Sequence, residues 1–387
     1  MSEWKKYKLS EIATLSNGIN FDKSAYTSGV KLIGVADFKD RIYPDYESLQ
    51  EVDSKVVRRG DYLEKGDIVF VRSNGNKELV GRCMMIDRDI PVTYSGFCIK
   101  LHLIDKNLFE PVYFNYLFRT RQFRKAITGT AVGANIQNLS QARLGNCEVN
   151  IPEIETQIRI ATILSRYDTL IENYQKQIKL FEEAAQRLYK EWFVELRFPG
   201  HENAKMVDGL PEGWERKTIT DVFDFKYGKI LPTKDFVKDG PIPVYGASKQ
   251  IGNYTKANCF EPKVLVGSRG NAGFVHRTIE DETYVTNNSF IIKPLNQFDY
   301  LKLPFVFESF KAMDFVAICT GAAQPQLTLN SIASLKYTVP SKELVKQYCD
   351  ISTSYFEKIA ITYNQIRFLT EARDRLLPRL MGGEIEA

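Results

Sequence analysis

The chain writes one helix twice. QIKLFEEAAQRLYKEWF (Gln177 to Phe193) returns 188 positions later as QIRFLTEARDRLLPRLM (Gln365 to Met381), with Gln, Ile, Glu, Ala, Arg and Leu in the same places. The copies run further than these stretches. Pro152 to Phe193 aligns without gaps on Pro340 to Met381, setting Glu155 on Glu343, Tyr167 on Tyr355 and Arg187 on Arg375. Self-similarity at this distance restricts the fold to a tandem of two similar half-molecules. The globular parts echo more loosely. WKKYKLSEIATLSNG, from Trp4, matches WERKTITDVFDFKYG, from Trp214, in its Trp, in Leu9/Ile219 and Ile12/Val222, and in its closing Gly18/Gly228. IVFVRSNGN (Ile68 to Asn76) echoes KVLVGSRGN (Lys263 to Asn271), FCIK echoes FIIK, and ITGTA echoes ICTGA.

In the first long helix, Ile160, Leu164, Tyr167, Ile171, Tyr174, Ile178, Phe181, Ala185, Leu188 and Trp192 keep an unbroken 4,3 alternation, the seam of a coiled coil. The helix enters after Pro152 and dissolves at Arg197-Phe198-Pro199-Gly200. In the second copy the seam reads Tyr348, Ser352, Tyr355, Ile359, Thr362, Ile366, Leu369, Arg373, Leu376 and Leu380. It is weaker, and Pro378 is predicted to kink or end the helix, so the later helix is expected to be shorter, more bent and less firmly held at its end. The seam of one copy (Ile160, Leu164, Tyr167, Ile171, Tyr174, Ile178, Phe181, Leu188) is predicted to pair antiparallel with that of the other (Tyr355, Ile359, Ile366, Leu369, Leu376). Such a rod would carry one globular unit at each end. Packing each stripe on its own unit is the poorer alternative, because a helix of about 40 residues spans roughly 60 Å, more than a domain of about 150 residues offers.

The expected organisation is a first globular domain over 1–152, a central helix over 153–197, a linker over 198–210, a second globular domain over 211–340, a C-terminal helix over 341–381 and a tail over 382–387. Each globular unit reads as α+β. VKLIGVADF, DIVFVRS, VGRCMMID and VTYSGFCIKLHL are strand candidates ahead of an amphipathic helix from Leu108 to Ile127; PKVLVGS, GFVHRT and SFIIKP precede a helix within Tyr300 to Met313. Strands gathered before a helix argue against a doubly wound sheet.

Composition then removes whole classes of function. No apolar run approaches the ~20 residues a bilayer span needs, and MSEWKKYKLSEI has no secretory apolar core, so a cytoplasmic protein is expected. The 6 cysteines are scattered without a CxxC pair and the 3 histidines are not spaced to chelate, which predicts reduced thiols and no metal site. No GxxxxGK[ST] is present; Tyr227-Gly228-Lys229-Ile230 lacks the first Gly and the Ser/Thr. No Pro-Pro pair exists from which an amino-methyltransferase box could be made, and Glu261-Pro262-Lys263 is a lone nuclease-like fragment. The chain is read as a binding component with no catalytic residues and no cofactor of its own.

What it binds is suggested by its loops. RSNGNKELVGR holds Arg72, Ser73, Asn74, Asn76, Lys77 and Arg82, and GSRGNAGFVHR holds Ser268, Arg269, Asn271 and Arg277. Arg pairs bidentately with guanine and Asn with adenine, so loops of this composition suit direct readout. Lys23, Lys226, Lys229, Lys249 and Lys256 are candidates for phosphate contacts. Against each stands a plainer role, because Asn-Gly and Arg-Gly are common turn sequences. A net charge of +4 is too small to prove a polyanionic partner, so the charge must be arranged locally.

The duplicated order of W-x4-L-x2-I, the ANIQNL and QPQLTL runs, the IPEIETQIRIATIL entry, the LPEGWE restart and the closing LLPRLMGGEI resembles the specificity subunit of a type I restriction-modification enzyme over essentially the whole length. The resemblance implies two target recognition domains, each reading one half of a split, asymmetric site in double-stranded DNA. It also implies that the paired helices space the heads and dock two modification (methyltransferase) subunits. S-adenosylmethionine would lie on those subunits, and ATP and Mg on restriction/translocase subunits. PSKELVKQY departs from PEIETQ, so the second docking would differ in detail. The rival readings are a coiled-coil scaffold with two protein-binding heads and an enzyme with its own methyltransferase activity.

Overall fold

Backbone pairing repeats in the two halves strand for strand. The computed structural model describes residues 4–38, 41–76, 79–128, 138–321 and 324–387. These divide into two units, Met1–Ile171 with Phe368–Ala387, and Glu172–Arg367. In the first, Ala13–Asn17, Cys98–Leu103, Ile68–Val71 and Cys83–Met85 form an antiparallel sheet in that order, and a second sheet sets Tyr26–Ile33 between Gln50–Val52 and Val92–Tyr94. The second unit repeats both: Phe223–Tyr227, Ser289–Pro294, Val264–Gly267, Val275–Arg277, and Ile242–Tyr245 between Gln250–Tyr254 and Tyr284–Val285. Lys5–Lys8 pairs with Glu148–Ile151, and Glu215–Thr218 with Lys336–Val339, tying the start of each half to the strand before its long helix. KKYK and ERKT carry no apolar alternation, so sequence pattern did not mark them as strands.

The central strand of each larger sheet is buried on both faces. Ile68 and Phe70 join Phe114 and Phe118 of the helix Pro111–Arg119, while Val69 and Val71 join Ile33, Val92 and Tyr94 of the second sheet. Val264 and Val266 face Phe305 and Phe310 of the helix Leu303–Lys311, and Leu265 faces Tyr245 and Val285. A continuous apolar run is what such a three-layer position demands. The helix expected over Leu108 to Ile127 is two, Pro111–Arg119 and Arg121–Thr128. Thr120 between them is extended, and its hydroxyl accepts from the Phe123 amide at 3.2 Å, opening the second helix as a cap.

The ladders correct two of the sequence echoes. Asn17 pairs with Ile99 and Tyr227 with Phe290, so Phe290 is the counterpart of Ile99 and not of Phe97. Phe70 and Val266 lie opposite those two residues, which makes Ser268 the counterpart of Arg72 and Arg269 that of Ser73. Register follows backbone hydrogen bonds, and matching letters can slip past them.

The central helix runs over Ile154–Tyr189, with a wider turn at Lys190–Val194; the C-terminal helix runs over Lys342–Met381. In the first unit Ile160, Ala161 and Leu164 share a core with Leu376, Leu380 and Met381. In the second, Ala185 and Trp192 share one with Leu344, Val345 and Tyr348, and the Phe181 and Tyr355 rings stack at 6.2 Å. In both units the beginning of one helix therefore meets the end of the other, an antiparallel two-helix coiled coil. The expected stop at the proline does not occur: the later helix has 40 residues, close to the 36 of Ile154–Tyr189 plus the 5 of its wider turn, and it passes through Pro378. Proline withholds one amide from the Asp374 carbonyl, but both residues are exposed, so water can serve that oxygen, and buried Leu380 and Met381 hold the last turn down.

The polar positions of the second seam are accommodated in three ways. Ser352 is small and fully buried, Thr362 donates to the Lys358 carbonyl at 2.6 Å, and Arg373 pairs with Asp168 at 2.5 Å. Asp168 also accepts from the Tyr116 hydroxyl at 2.5 Å, which joins the head of that unit to its helices. Past the helices, Trp214 packs against Phe193 and Phe198 with centroids 5.9 Å away, and Gly383 lies over the Trp4 indole. The linker holds a small hairpin, Met206–Val207 with Leu210–Pro211, turned by Asp208-Gly209 with both φ positive.

Candidate nucleic-acid interface

Two glycines mark the same crossing in each unit. A Cβ on Gly18 would lie 2.2 Å from the Tyr94 carbonyl oxygen, and one on Gly228 would lie 2.3 Å from those of Val285 and Thr286. Only a residue without a side chain lets the backbone pass so close. The chain then pairs in parallel for one step, Ile19 with Ser95 and Lys229 with Thr286.

Next to this crossing three segments converge, identically in both units. The amide of Arg72 donates to the Phe97 carbonyl at 2.8 Å, and that of Leu139 to the Arg72 carbonyl at 2.7 Å. The amide of Ser268 donates to the Asn288 carbonyl at 2.7 Å, and that of Leu327 to the Ser268 carbonyl at 2.9 Å. Ser73 bridges to Asn138 and Arg269 to Gln326. The end of the ANIQNL run and the middle of the QPQLTL run are thus pinned to the candidate base-reading loops. Most of ANIQNL, residues 134–137, and Lys77 lie outside the described residues.

The candidate residues divide by environment. Lys229, Lys249, Arg269 and Asn271 are exposed on neighbouring loops of the second unit: the Asn287 amide donates to the Lys229 carbonyl at 3.1 Å, and Asn271 Nδ2 donates to Ser248 Oγ at 2.6 Å. Lys23 is exposed in the turn Lys23–Ala25 that follows the first crossing. Lys226 is exposed and paired with Asp224 at 2.9 Å. Lys256 lies past the end of the hairpin strand Gln250–Tyr254, and the register of that hairpin puts Lys249 at its other end. Arg72 is half-buried and donates to the Gly96 carbonyl at 3.4 Å, and Asn74 Oδ1 accepts from the Asn76 amide at 2.7 Å to close the turn.

Of two further candidates, one is buried and the other is turned inward and half-buried. Ser268 is 1% exposed and donates to the Asn287 carbonyl at 3.3 Å, so its hydroxyl holds the loop. Arg277 is half-buried, with its guanidinium 4.5 Å from the Phe356 ring and 5.6 Å from the Phe307 ring, a cation packed against two aromatic faces. Its letter stood in a loop motif, but its position is the last of strand Val275–Arg277, with its side chain towards the helices. Sequence reading also missed Phe97, which is 61% exposed at the turn before Cys98, and exposed Asn288 at the corresponding turn. In the sequence Phe97 falls inside the strand candidate VTYSGFCIKLHL, and Asn288 is unassigned just ahead of SFIIKP; the bonds to Arg72 and Ser268 reveal the turn.

Interior electrostatics stand apart from this surface. Burial pushes the Glu308 carboxyl up to about 7 despite nearby Lys311 and Arg277, and burial lowers His276 to about 4. Both side chains lie inside the second head. Among the described residues no group of His, Cys, Asp and Glu is placed to hold a metal, and no helix is long and apolar enough to cross a membrane. Cys83, Cys98, Cys259 and Cys349 are buried thiols. The exposed loops offer hydrogen-bond donors and cations on rigid supports, which is the equipment of recognition.

The family described as type I restriction modification DNA specificity domain matches residues 1–182 and again 211–370. The MjaIX type I specificity subunit of Methanocaldococcus jannaschii is 24% identical over 311 residues, covering 73% of this chain and 71% of that protein. The HindI specificity subunit of Haemophilus influenzae is 24% identical over 473 aligned positions that span both chains entirely. The crystal structure of the S subunit of a type I system from M. genitalium shares the fold, with a TM-score of 0.62 at 18% identity over 98% of this chain and 96% of that one.

Proposed function

Because the chain belongs to the family of type I restriction-modification DNA specificity subunits, carrying the family's domain twice, we propose that each head reads one half of a bipartite, asymmetric DNA site. The observation that carries this reading is the duplicated loop cluster, the same three-segment convergence bearing different side chains: Arg72, Ser73 and Phe97 in one head, Ser268, Arg269 and Asn288 in the other. Like backbones with unlike side chains are what reading two different half-sites requires. In this reading the paired helices would serve as the spacer, because the separation between two readers sets the distance between half-sites. The outer surfaces of these helices dock two modification subunits, which hold the S-adenosylmethionine; restriction subunits bring ATP and Mg. The chain itself contributes no catalytic group.

The test is duplex binding by the full chain, alone and with its modification partner. Affinity should fall steeply with salt, with a slope of about −0.9 per phosphate contact. Absence of any salt-dependent DNA binding in either form would reject this reading in favour of a protein scaffold. Methyl transfer by the isolated chain would reject the non-catalytic assignment.

A further inference from the structure

Beside each glycine crossing stands a turn fixed by backbone hydrogen bonds. The Phe97 carbonyl accepts from the amides of Arg72 and Ser73 at 2.8 and 3.3 Å, and the Asn288 carbonyl from those of Ser268 and Arg269 at 2.7 and 3.3 Å. The Cys98 amide closes the first turn on the Ser95 carbonyl at 2.9 Å, and the Ser289 amide closes the second on the Thr286 carbonyl at 3.2 Å. Each turn is also tied to the chain leaving the crossing: the Gly96 amide donates to the Ile19 carbonyl at 2.7 Å, and the Asn287 amide to the Lys229 carbonyl at 3.1 Å. These bonds make Phe97 the counterpart of Asn288, and Asn20 the counterpart of Ile230.

On these matched backbones the side chains have changed places. In the first unit Phe97 is 61% exposed, and exposed Asn20 lies against the same turn, its Oδ1 2.1 Å from where a Cβ on Gly96 would stand. In the second unit Asn288 is exposed and Ile230 is 76% exposed. Each crossing therefore presents one amide and one apolar side chain, on opposite members of the pair of positions. A single exposed apolar residue needs no explanation. Here one stands at the same crossing of both units, each time accompanied by asparagine, and core packing accounts for neither Phe97 nor Ile230.

In the major groove an A·T pair offers adenine N7 and N6, which an asparagine amide matches, and the thymine C5-methyl, which takes apolar contact. We infer that Asn20 with Phe97, and Asn288 with Ile230, each take the adenine and thymine of one or two adjacent A·T pairs. The asparagine amide donates to N7 and accepts from N6, and the Phe or Ile side chain covers the thymine methyl. The inference deepens the DNA-specificity reading above and rests on it. Turns already fixed by backbone bonds lose little freedom when a base pair meets them, so little of the contact energy is spent on ordering.

The test selects the preferred duplex from a random pool with the full chain, alone and with its modification partner, and then replaces single thymines by uracil, which removes only the methyl group. At one thymine of one half-site uracil should weaken the parent chain about fourfold, the worth of one buried methyl group, and should leave Phe97→Ala unaffected. At one thymine of the other half-site the same should hold for Ile230→Ala. Replacing the matching adenine by 7-deazaadenine should cost the parent roughly tenfold and cost Asn20→Ala or Asn288→Ala little. All four side chains are exposed, and circular dichroism checks that each variant folds. Uracil and 7-deazaadenine costing the variants as much as the parent overturns the inference while the specificity reading stands, and so does a half-site made of G·C pairs alone. A chain that selects no preferred duplex in either form overturns both.

Discussion

Gly18 and Gly228 show how much one missing atom can hold in place. Their Cβ positions are filled by carbonyl oxygens of the adjoining strand, which cannot give way as a flexible side chain would. Gly18→Ala and Gly228→Ala are each expected to cost roughly 1–3 kcal/mol, the range of overpacking in a dense interior. Urea denaturation measures it, and stability equal to the parent chain would mean that the crossing relaxes at no cost. Glu308 makes a different prediction. Folding raises its carboxyl from 4.5 to about 7, so its contribution is complete below pH 4.5 and is lost as the pH rises through 7. Glu308→Gln should gain stability over the parent on the order of 3 kcal/mol between pH 4.5 and 8. His276, lowered from 6.5 to about 4, runs the other way: its contribution is present above pH 6.5 and fades towards 4. Parallel pH curves for Glu308→Gln and parent would show that burial does not govern this carboxyl. The glycines were legible in the sequence as matched ends of a repeat. Glu308 and Arg277 were not, because an isolated charged letter does not say whether its strand or helix turns it inward.

Among the elements, the long helices were the most legible and also held the largest correction. Ile160, Leu164, Ile171 and Ile178 are all buried as the seam requires. Periodicity predicts a buried stripe because every seam residue returns to one face. It says less about what a polar residue in the stripe will do. Arg373, read as a weak point, is answered by Asp168 and through it by Tyr116. Arg373→Ala should cost roughly 3–5 kcal/mol by leaving Asp168 buried without its cation. Replacing both, Asp168→Leu with Arg373→Met, should recover most of that loss. A double variant as unstable as the sum of its single changes would show that the two do not act as a pair. Pro378 failed as a stop signal because helix ends are also set by burial beyond them, here of Leu380 and Met381.

For the whole molecule, the repeat makes the heads exchangeable in principle. Replacing residues 211–340 with the corresponding region of another family member should change one half of the recognised sequence and leave the other intact. Methylation profiling of a genome carrying the gene and its partners reads this directly; alteration of both halves would show that the heads do not read independently. The sequence by itself determined the duplication, the α+β heads, the antiparallel seam and the family, since each is carried by periodicity or by spacing along the chain. Only the tertiary structure decided register, which residues of a loop face outward, and which charges meet. Those depend on hydrogen-bond ladders and on neighbours far away in the chain: Ser268 turned inward by its bond to Asn287, Arg277 drawn between Phe307 and Phe356, and Arg373 brought to Asp168.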